Sequence, residues 1–539
     1  MNLIRDPWWP ARGVDGSIGW IGLGDLMRGS DLFSAPPALS DPLLDEAASE
    51  LAAAILWLLV RPHDEGGWRR VWTENGADVE LSRLDGIAAC FDLFTGMRAF
   101  QDPTVGNLPE KPISGLFHSA PGDQTKEHNK DIGSPGPRGL SPAAAAVALY
   151  AMQAHAHAGG PGFRTSVAGG GPLRTVPRMG GTLFRQLWAM VLHRSSHERG
   201  IDPSRAALPD RAALPWVMSP GPRPVAERLH PLLVLFATPR RILLSPPRAE
   251  GTCDLTGTVG PLVTHYREGQ NGPEYSAGGF VHPWTPVRGE AGKPLPILSY
   301  SRPALFGWRD WAGVVTGRRL SEKVVQAPAS AVAAWDRARL DFAAGRGSTL
   351  RVSAYGVRCE QAKVLGFVRS THAFDVVAEE DAEIFQSAME GAVVAVERIA
   401  QWLVGAVRDV VNDGSKDRKD PTERNARGRS DVFWSVLDRP GQRFSHSVAR
   451  ALGGEADDLP AATLAASKEL HQAACRAAVM VFDEATGDAI LQPDTAARAA
   501  AARGRLVGML HGRVGRDLFG LPDMVALSGG SDAVTEEIL

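Results

Sequence analysis

The sequence predicts an α+β protein in two parts: a large mixed N-terminal domain with irregular sheets and long loops over residues 1–375, followed by a C-terminal four-helix bundle over residues 379–539. Three observations carry this. At 539 residues the chain is long enough to bury more than one core. Up to about residue 375, short runs of helical and of alternating period are broken by glycine and proline. From Glu379 onward the pattern changes to sustained helical periodicity.

Taken in order, residues 1–30 set Trp8, Trp9, Ile18, Trp20 and Ile21 among Pro10, Gly13 and Gly16, which suits a hairpin entering a sheet. Asp41 to Val60 reads as a helix capped at Ser40 or Asp41, with Leu44, Ala48, Leu51, Ile55 and Leu58 on one face. His63, Asp64 and Glu65 follow as a solvated turn, because adjacent turn residues rarely converge on one metal ion. Leu81 to Phe94 reads as a second apolar helix, and residues 104–139 form the longest stretch without periodicity.

Ser141 to about Ala156 is the strongest helix of this half, with Ser141 as N-cap and Pro142 at the first helical position. It stops at Gly159, Gly160, Pro161 and Gly162, and two further glycine clusters follow at 169–171 and 180–181. Arg164, Arg174, Arg178 and Arg185 are interleaved, with no acidic residue between Asp131 and Glu198. Bare backbone beside guanidinium is a surface that a phosphate chain approaches closely. The plainer reading of the same residues is a set of turns with solvated arginines. The glycines follow a helix and lack a G-x-x-x-x-G-K-[ST] pattern, so they form neither a P-loop nor a dinucleotide fingerprint.

Residues 183–193 read as another helix, Ile201 to Pro224 as a surface excursion, and Leu232 to Phe236 and Arg241 to Leu244 as strands. Val263 to Pro286 gathers Tyr266, Arg267, Asn271, Tyr275, His282 and Trp284, of which Tyr275 and Trp284 suit core packing and Arg267 a nucleic-acid contact. Leu350 to Tyr355 and Val364 to Val368 alternate like two strands, which puts Gln361 at a hairpin tip. Helices are then expected over Ile384 to Val411, Asp431 to Leu452, Pro460 to Glu484 and Thr495 to Phe519, joined first by a charged connection from Asn412 to Arg429.

The formal charge is only −3, yet residues 120–250 hold 16 Lys/Arg against 8 Asp/Glu, a local +8 that favours a localised polyanion contact. Cys90, Cys253, Cys359 and Cys475 have no C-x-x-C pairing, which fits a reducing cytoplasm. The strongest apolar run, near Ala52 to Val60, is too short to span a membrane, and the start lacks a signal-peptide core, so a cytoplasmic protein is expected.

Several blocks resemble the CasA family, the large subunit of the type I-E CRISPR surveillance complex, Cascade. MNLIRDPWWPAR resembles the family's opening, and LFHSAPGDQTKEHNK followed by LSPAAAAVALYAMQAHAHAGG resembles its long nucleic-acid loop and the helix after it. GGGPLRT with GTLFRQLW, YREGQNGPEYSAGGFVHPWTP and AYGVRCEQAKV match later blocks in the same order, and beyond about residue 375 only the architecture is similar. The resemblance implies a nonenzymatic subunit that recognises the protospacer-adjacent motif in double-stranded DNA, helps open the duplex for guide RNA pairing and helps recruit the nuclease-helicase. On this reading Gly159, Gly160, Pro161, Gly162 and Arg164 form the motif-reading glycine loop, and Lys126, His128, Asn129 and Lys130 the nucleic-acid loop toward the guide RNA and the other Cascade subunits. Gln361 becomes a wedge between the DNA strands, with Glu360 beside it pointing away, and the bundle becomes a hinged lid. Some family members carry a cysteine-rich metal knuckle, where GTCDLTG keeps only Cys253, so neither zinc nor any cofactor is expected. The rival readings are a structural assembly subunit that reads no DNA motif and a metal-dependent nuclease, for which no carboxylate cluster at usable spacing is found.

Overall fold

The computed structural model describes every residue apart from 29–32, 36–38, 40, 118–135, 158–159, 200, 276–279, 291–292, 298–306, 320, 361–362, 412–420, 488–492 and 523–539. Its backbone divides into two compact units, Met1–Ser301 with Leu320–Ala373, and Arg302–Arg319 with Phe374–Leu539. The architecture is mixed helix and sheet, with small irregular sheets in the first unit and long helices in the second, in agreement with the α+β expectation. Among the described residues no helix is long and apolar enough to cross a membrane.

The first unit is built around two helices that pack on each other, α2 (Pro42–Val60) and α4 (Pro142–Ala154), which follow α1 (Leu23–Arg28) and α3 (Glu65–Thr73). Asp41 caps α2 by accepting from the amides of Leu43 and Leu44 at 2.9 and 3.3 Å. The sequence suggested one apolar face for this helix, but sixteen of its residues are buried on all sides, including Glu46 and Glu50. The correction has a simple cause: a helix at the centre of a domain has no solvent face to signal. Burying side chains such as Leu51, Ile55 and Trp57 contributes roughly 1.5–3 kcal/mol each. Asp64 caps α3 through the Gly67 amide at 2.9 Å, so the expected turn is a helix start.

Other expectations shift. Leu81 to Phe94 is not one helix but two 3-10 turns, Leu81–Leu84 and Ala88–Phe91, joined by a hydrogen-bonded turn. Leu233–Phe236 is a helical turn and not a strand, because a short, fully buried apolar run carries no readable period. The helix expected over 183–193 is the shorter α5, Leu183–Trp188, capped by Thr182.

The sheets are small. β1 (Trp9–Gly13) lies between β2 (Ile18–Ile21) and β3 (Phe33–Ala35). β9 (His265–Gly269) lies between β4 (Lys111–Pro112) and β6 (Arg241–Leu244). β7 (Ala249–Thr252) pairs with β8 (Val259–Leu262), while β10 (Val287–Glu290) pairs with β11 (Lys293–Pro296) and β13 (Val325–Ala327). A further sheet runs from β5 (Arg174–Pro177) to β14 (Leu350–Glu360) to β15 (Lys363–Phe374). Its β5–β14 register sets Tyr355 opposite Arg174 and Ser353 opposite Val176.

The second unit contains the short strand β12 (Arg318–Arg319) and helix α6 (Trp308–Val315), with four long helices: α7 (Ala382–Val411), α8 (Pro421–Arg450), α9 (Leu459–Thr486) and α10 (Pro493–His511). The stripe read from sequence in α7, Met389, Val393, Val396, Ile399, Leu403, Val407 and Val410, lies in the core these helices share. α8 begins at Pro421, inside the stretch expected to be a connection, and the expected helix from Thr495 to Phe519 is broken at Gly512.

Candidate nucleic-acid interface

The site is built outward from α4. Ser141 Oγ accepts from the Ala144 amide at 3.3 Å and Pro142 opens the helix, as the sequence indicated. The chain leaves the helix at His155 and returns where the Ser166 amide donates to the Ala156 carbonyl at 2.9 Å. Between them Gly160 and Gly162 have φ of +91° and +82°, the left-handed region where a side chain is strained. Gly160 and Pro161 are exposed, and a Cβ added at Gly160 would meet open space. Gly162 is held from below, where its carbonyl accepts from the Asn271 amide at 2.8 Å and a Cβ would press on Gln270 at 3.0 Å.

The turn rests on Phe163, with the Arg240 guanidinium 5.2 Å and the Lys111 ammonium 5.7 Å from its ring centre. Arg240 also donates to the His157 carbonyl at 2.6 Å, and Lys111 pairs with Glu268 at 3.0 Å. Burial, with Arg240 adding to it, pushes His157 down to about 4, so it is neutral near pH 7. Arg164 lies 3.3 Å from Glu274, which also holds the exposed Arg223 at 3.5 Å.

The arginines of this stretch serve the fold more than the sequence suggested. Arg174 is fully buried, Arg178 pairs with Glu46, and Arg185 donates to the Trp72 carbonyl at 3.3 Å while lying over the Trp72 ring. The acidic partners of Arg178 and Arg174, Glu46 and Glu50, come from α2, more than a hundred residues earlier, so a local count of charge could not find them. Arg267 donates to the Leu108 carbonyl at 2.9 Å and pairs with Glu110 at 2.8 Å. Tyr275 and Trp284 are buried, as core packing required.

The hairpin strands β14 and β15 are neighbours in their sheet, and Gln361 and Ala362 between them lie outside the described residues, as do Gly159, Lys126, His128, Asn129 and Lys130. Glu360 ends β14. The second glycine cluster meets this strand directly: a Cβ at Gly171, φ +86°, would stand 2.7 Å from the Val357 carbonyl oxygen.

Beneath turn and hairpin sits a buried polar cluster that sequence reasoning missed. Glu50 Oε1 accepts from Tyr355 Oη at 2.7 Å and lies 3.2 Å from His155 Nε2 and 3.5 Å from Arg174 Nε. Arg174 also donates to Thr285 Oγ1 and, at 3.0 Å, to the Ala154 carbonyl. Burial alone would raise the Glu50 carboxyl, but His155 and Arg174, with hydrogen bonds from His155 and Tyr355, bring it down to about 2. The only signal in sequence was that Glu46 and Glu50, four residues apart, share a mostly apolar helix with Asp45 as its one other carboxylate.

Among the described residues no three His, Cys, Asp or Glu side chains are grouped to hold a metal ion. In fold the chain is similar to Thermobifida fusca Cse1, at 18% identity and a TM-score of 0.69, covering 96% of this chain and 98% of that one. It is similar also to Thermus thermophilus CasA (Cse1), at 19% identity and 0.63 over 95% and 99%, and to a chain of a CRISPR RNA-guided surveillance complex, at 17% and 0.65 over 95% and 99%. Comparison with curated protein sequences gives no match. Residues 2–477 match the family described as CRISPR-associated protein Cse1, and the chain belongs to that family, the CasA family its sequence blocks resemble.

Proposed function

We propose that this chain is the nonenzymatic large subunit of a type I-E CRISPR RNA-guided surveillance complex in the cytoplasm, where it reads the motif flanking the target in double-stranded DNA. Family membership and likeness in fold to a chain of such a complex support the assembly. The observation that carries the reading role is the exposed turn at Gly160, whose backbone is strained for any side chain and open to solvent at the end of a buried helix. Backbone without a Cβ enters a minor groove that a side chain would block, and because that groove carries a degenerate pattern, such a reader accepts several motifs.

In this reading Gln361 is the wedge that replaces stacking on the first base pair once the strands part, and Lys126, His128, Asn129 and Lys130 meet the guide RNA end and neighbouring subunits through salt-dependent contacts. Recruitment of the nuclease-helicase completes the role. The test is a band shift with the assembled complex on duplexes that carry or lack the flanking motif. Motif-dependent binding that is lost on Gly160→Asp supports the proposal. Binding that ignores both the motif and the substitution leaves the chain an assembly subunit. A Gln361→Ala complex is expected to bind duplex normally and to open it slowly, read by a fluorescent base analogue at the first pair.

A further inference from the structure

We propose that Glu50 is a positioning residue that ties the glycine turn to the hairpin, so that one buried carboxylate sets both; its functional meaning rests on the reading that these two elements meet DNA. A single oxygen, Oε1, faces three partners from three elements. His155 is the residue at which α4 gives way to the turn, Arg174 opens β5, and Tyr355 is in the middle of β14. Arg174 closes the circuit by donating to the Ala154 carbonyl, the last residue of α4.

A second tether lies one helical turn earlier on α2. Glu46 pairs with Arg178, which follows β5, and at 3.5 Å with Arg369 of β15. Ser353 of β14 joins this group, accepting from Arg178 Nε at 3.3 Å and lying 2.7 Å from Thr371 of β15. Both strands of the hairpin are therefore bonded to the same helix that holds the end of α4.

Two arguments point to positioning. Buried charges of this kind are rarely worth more to stability than well-packed apolar residues of the same volume, so their use here answers a need for geometry. Hydrogen bonds fix direction as well as distance, whereas apolar faces slide and repack. The lever is long: Tyr355 is five residues from the end of β14 at Glu360, roughly 17 Å along an extended strand. A tilt of about 5° at Tyr355 moves the strand end by roughly 1.5 Å at that rise per residue.

The experiment uses the full chain with His155→Gln and Tyr355→Phe, singly and together, and hydrogen exchange as the readout. Each single change is expected to raise exchange at least threefold in the other element, residues 160–166 for Tyr355→Phe and the two strands for His155→Gln, with the double variant departing from the product of the singles. Effects confined to the element that carries the change, or a double variant that equals the product, would overturn the tether. Glu50→Asp, which keeps the charge and shortens the reach, gives the same test if either variant folds poorly. In the assembled complex, with duplex at saturating concentration, Tyr355→Phe is expected to slow strand opening at least threefold. Unchanged opening would overturn the positioning role. A wild-type complex that ignores the motif would instead remove the proposed function, and the exchange result would still decide the tether.

Discussion

Tyr355 donates a 2.7 Å hydrogen bond to Glu50 across 305 positions of sequence, and both side chains are wholly buried. The bond joins the middle of a long strand to the central helix of the first unit, and the two ends of this cluster respond differently to loss. Removing the hydroxyl with Tyr355→Phe leaves Glu50 still opposite Arg174 and His155, and the expected cost is about 1.5–3 kcal/mol, the range for a bond to a charged group. Arg174→Met takes away the fixed positive charge and is expected to cost about 3–5 kcal/mol. Urea midpoints at constant slope measure both. A smaller loss for Arg174→Met than for Tyr355→Phe would show that Glu50 is held chiefly by the hydroxyl.

Gly160 separates shape from charge. Gly160→Ala meets no neighbouring atom but must hold φ near +91°, so a loss of about 1 kcal/mol in stability is expected, with the fold intact. Gly160→Asp carries the same backbone strain, slightly relieved because Asp tolerates this region better, and adds a negative charge. Equal stability of the two variants, with motif-dependent binding much weaker in Gly160→Asp, is the expected pattern in thermal unfolding and band shift.

The part of this site that is local in sequence was legible there. Ser141 and Pro142 announced α4, the glycines announced its turn, and alternation from Leu350 announced β14. What could not be read was long-range. Arg174 and Arg178 look like free cations in a stretch without acids, because the carboxylates that neutralise them are on α2. Glu46 and Glu50 in turn look like ordinary helix surface, because nothing in the neighbouring residues shows that α2 is enclosed on every side. Leu233–Phe236 and Leu81 to Phe94 failed for a different reason: buried apolar stretches this short satisfy a helical turn and a strand equally well.

Stability is expected to fall as the pH drops from 6.5 toward 4. Burial holds His157 and His197 down to about 4 and His230, next to Arg61, down to about 3. Across this window the unfolded chain takes up protons that the folded chain refuses, so each histidine removes on the order of 2–3 kcal/mol by the time pH 4 is reached. Asp45 works in the opposite sense, since burial raises it to about 6 and its folded form gains the proton first. Three histidines against one carboxyl leave a net loss. Urea denaturation at pH 7.5, 6.0 and 4.5 reads the slope, and His197→Asn with His230→Gln should flatten it. A flat profile in the wild type would place these imidazoles in water.

The second unit offers a sharp test of why Arg302–Arg319 belongs with it. Trp308 inserts at α8, where its amide donates to Asp438 at 2.6 Å and its indole nitrogen to Ser445 at 2.8 Å. The approach requires glycine at position 441, since a Cβ there would stand only 2.1 Å from the Cδ2 carbon of the indole ring. Pro440 immediately before it lacks the amide hydrogen that a helix interior normally donates, so α8 is already weakened at this point. Gly441→Ala would therefore expel the ring, because Trp308 is held through both its backbone amide and its indole nitrogen and the added Cβ would overlap the ring. The expected loss is about 3 kcal/mol, the scale of overpacking at a tight core site. It should be accompanied by faster hydrogen exchange over 308–315 and a red shift of tryptophan emission as Trp308, now only 4% exposed, meets water. The same substitution at Gly405 of α7, where nothing lies within 4 Å, is the control and should be neutral or slightly stabilising. If Gly441→Ala matched that control, the contact with Trp308 would not be what holds α6 to α8.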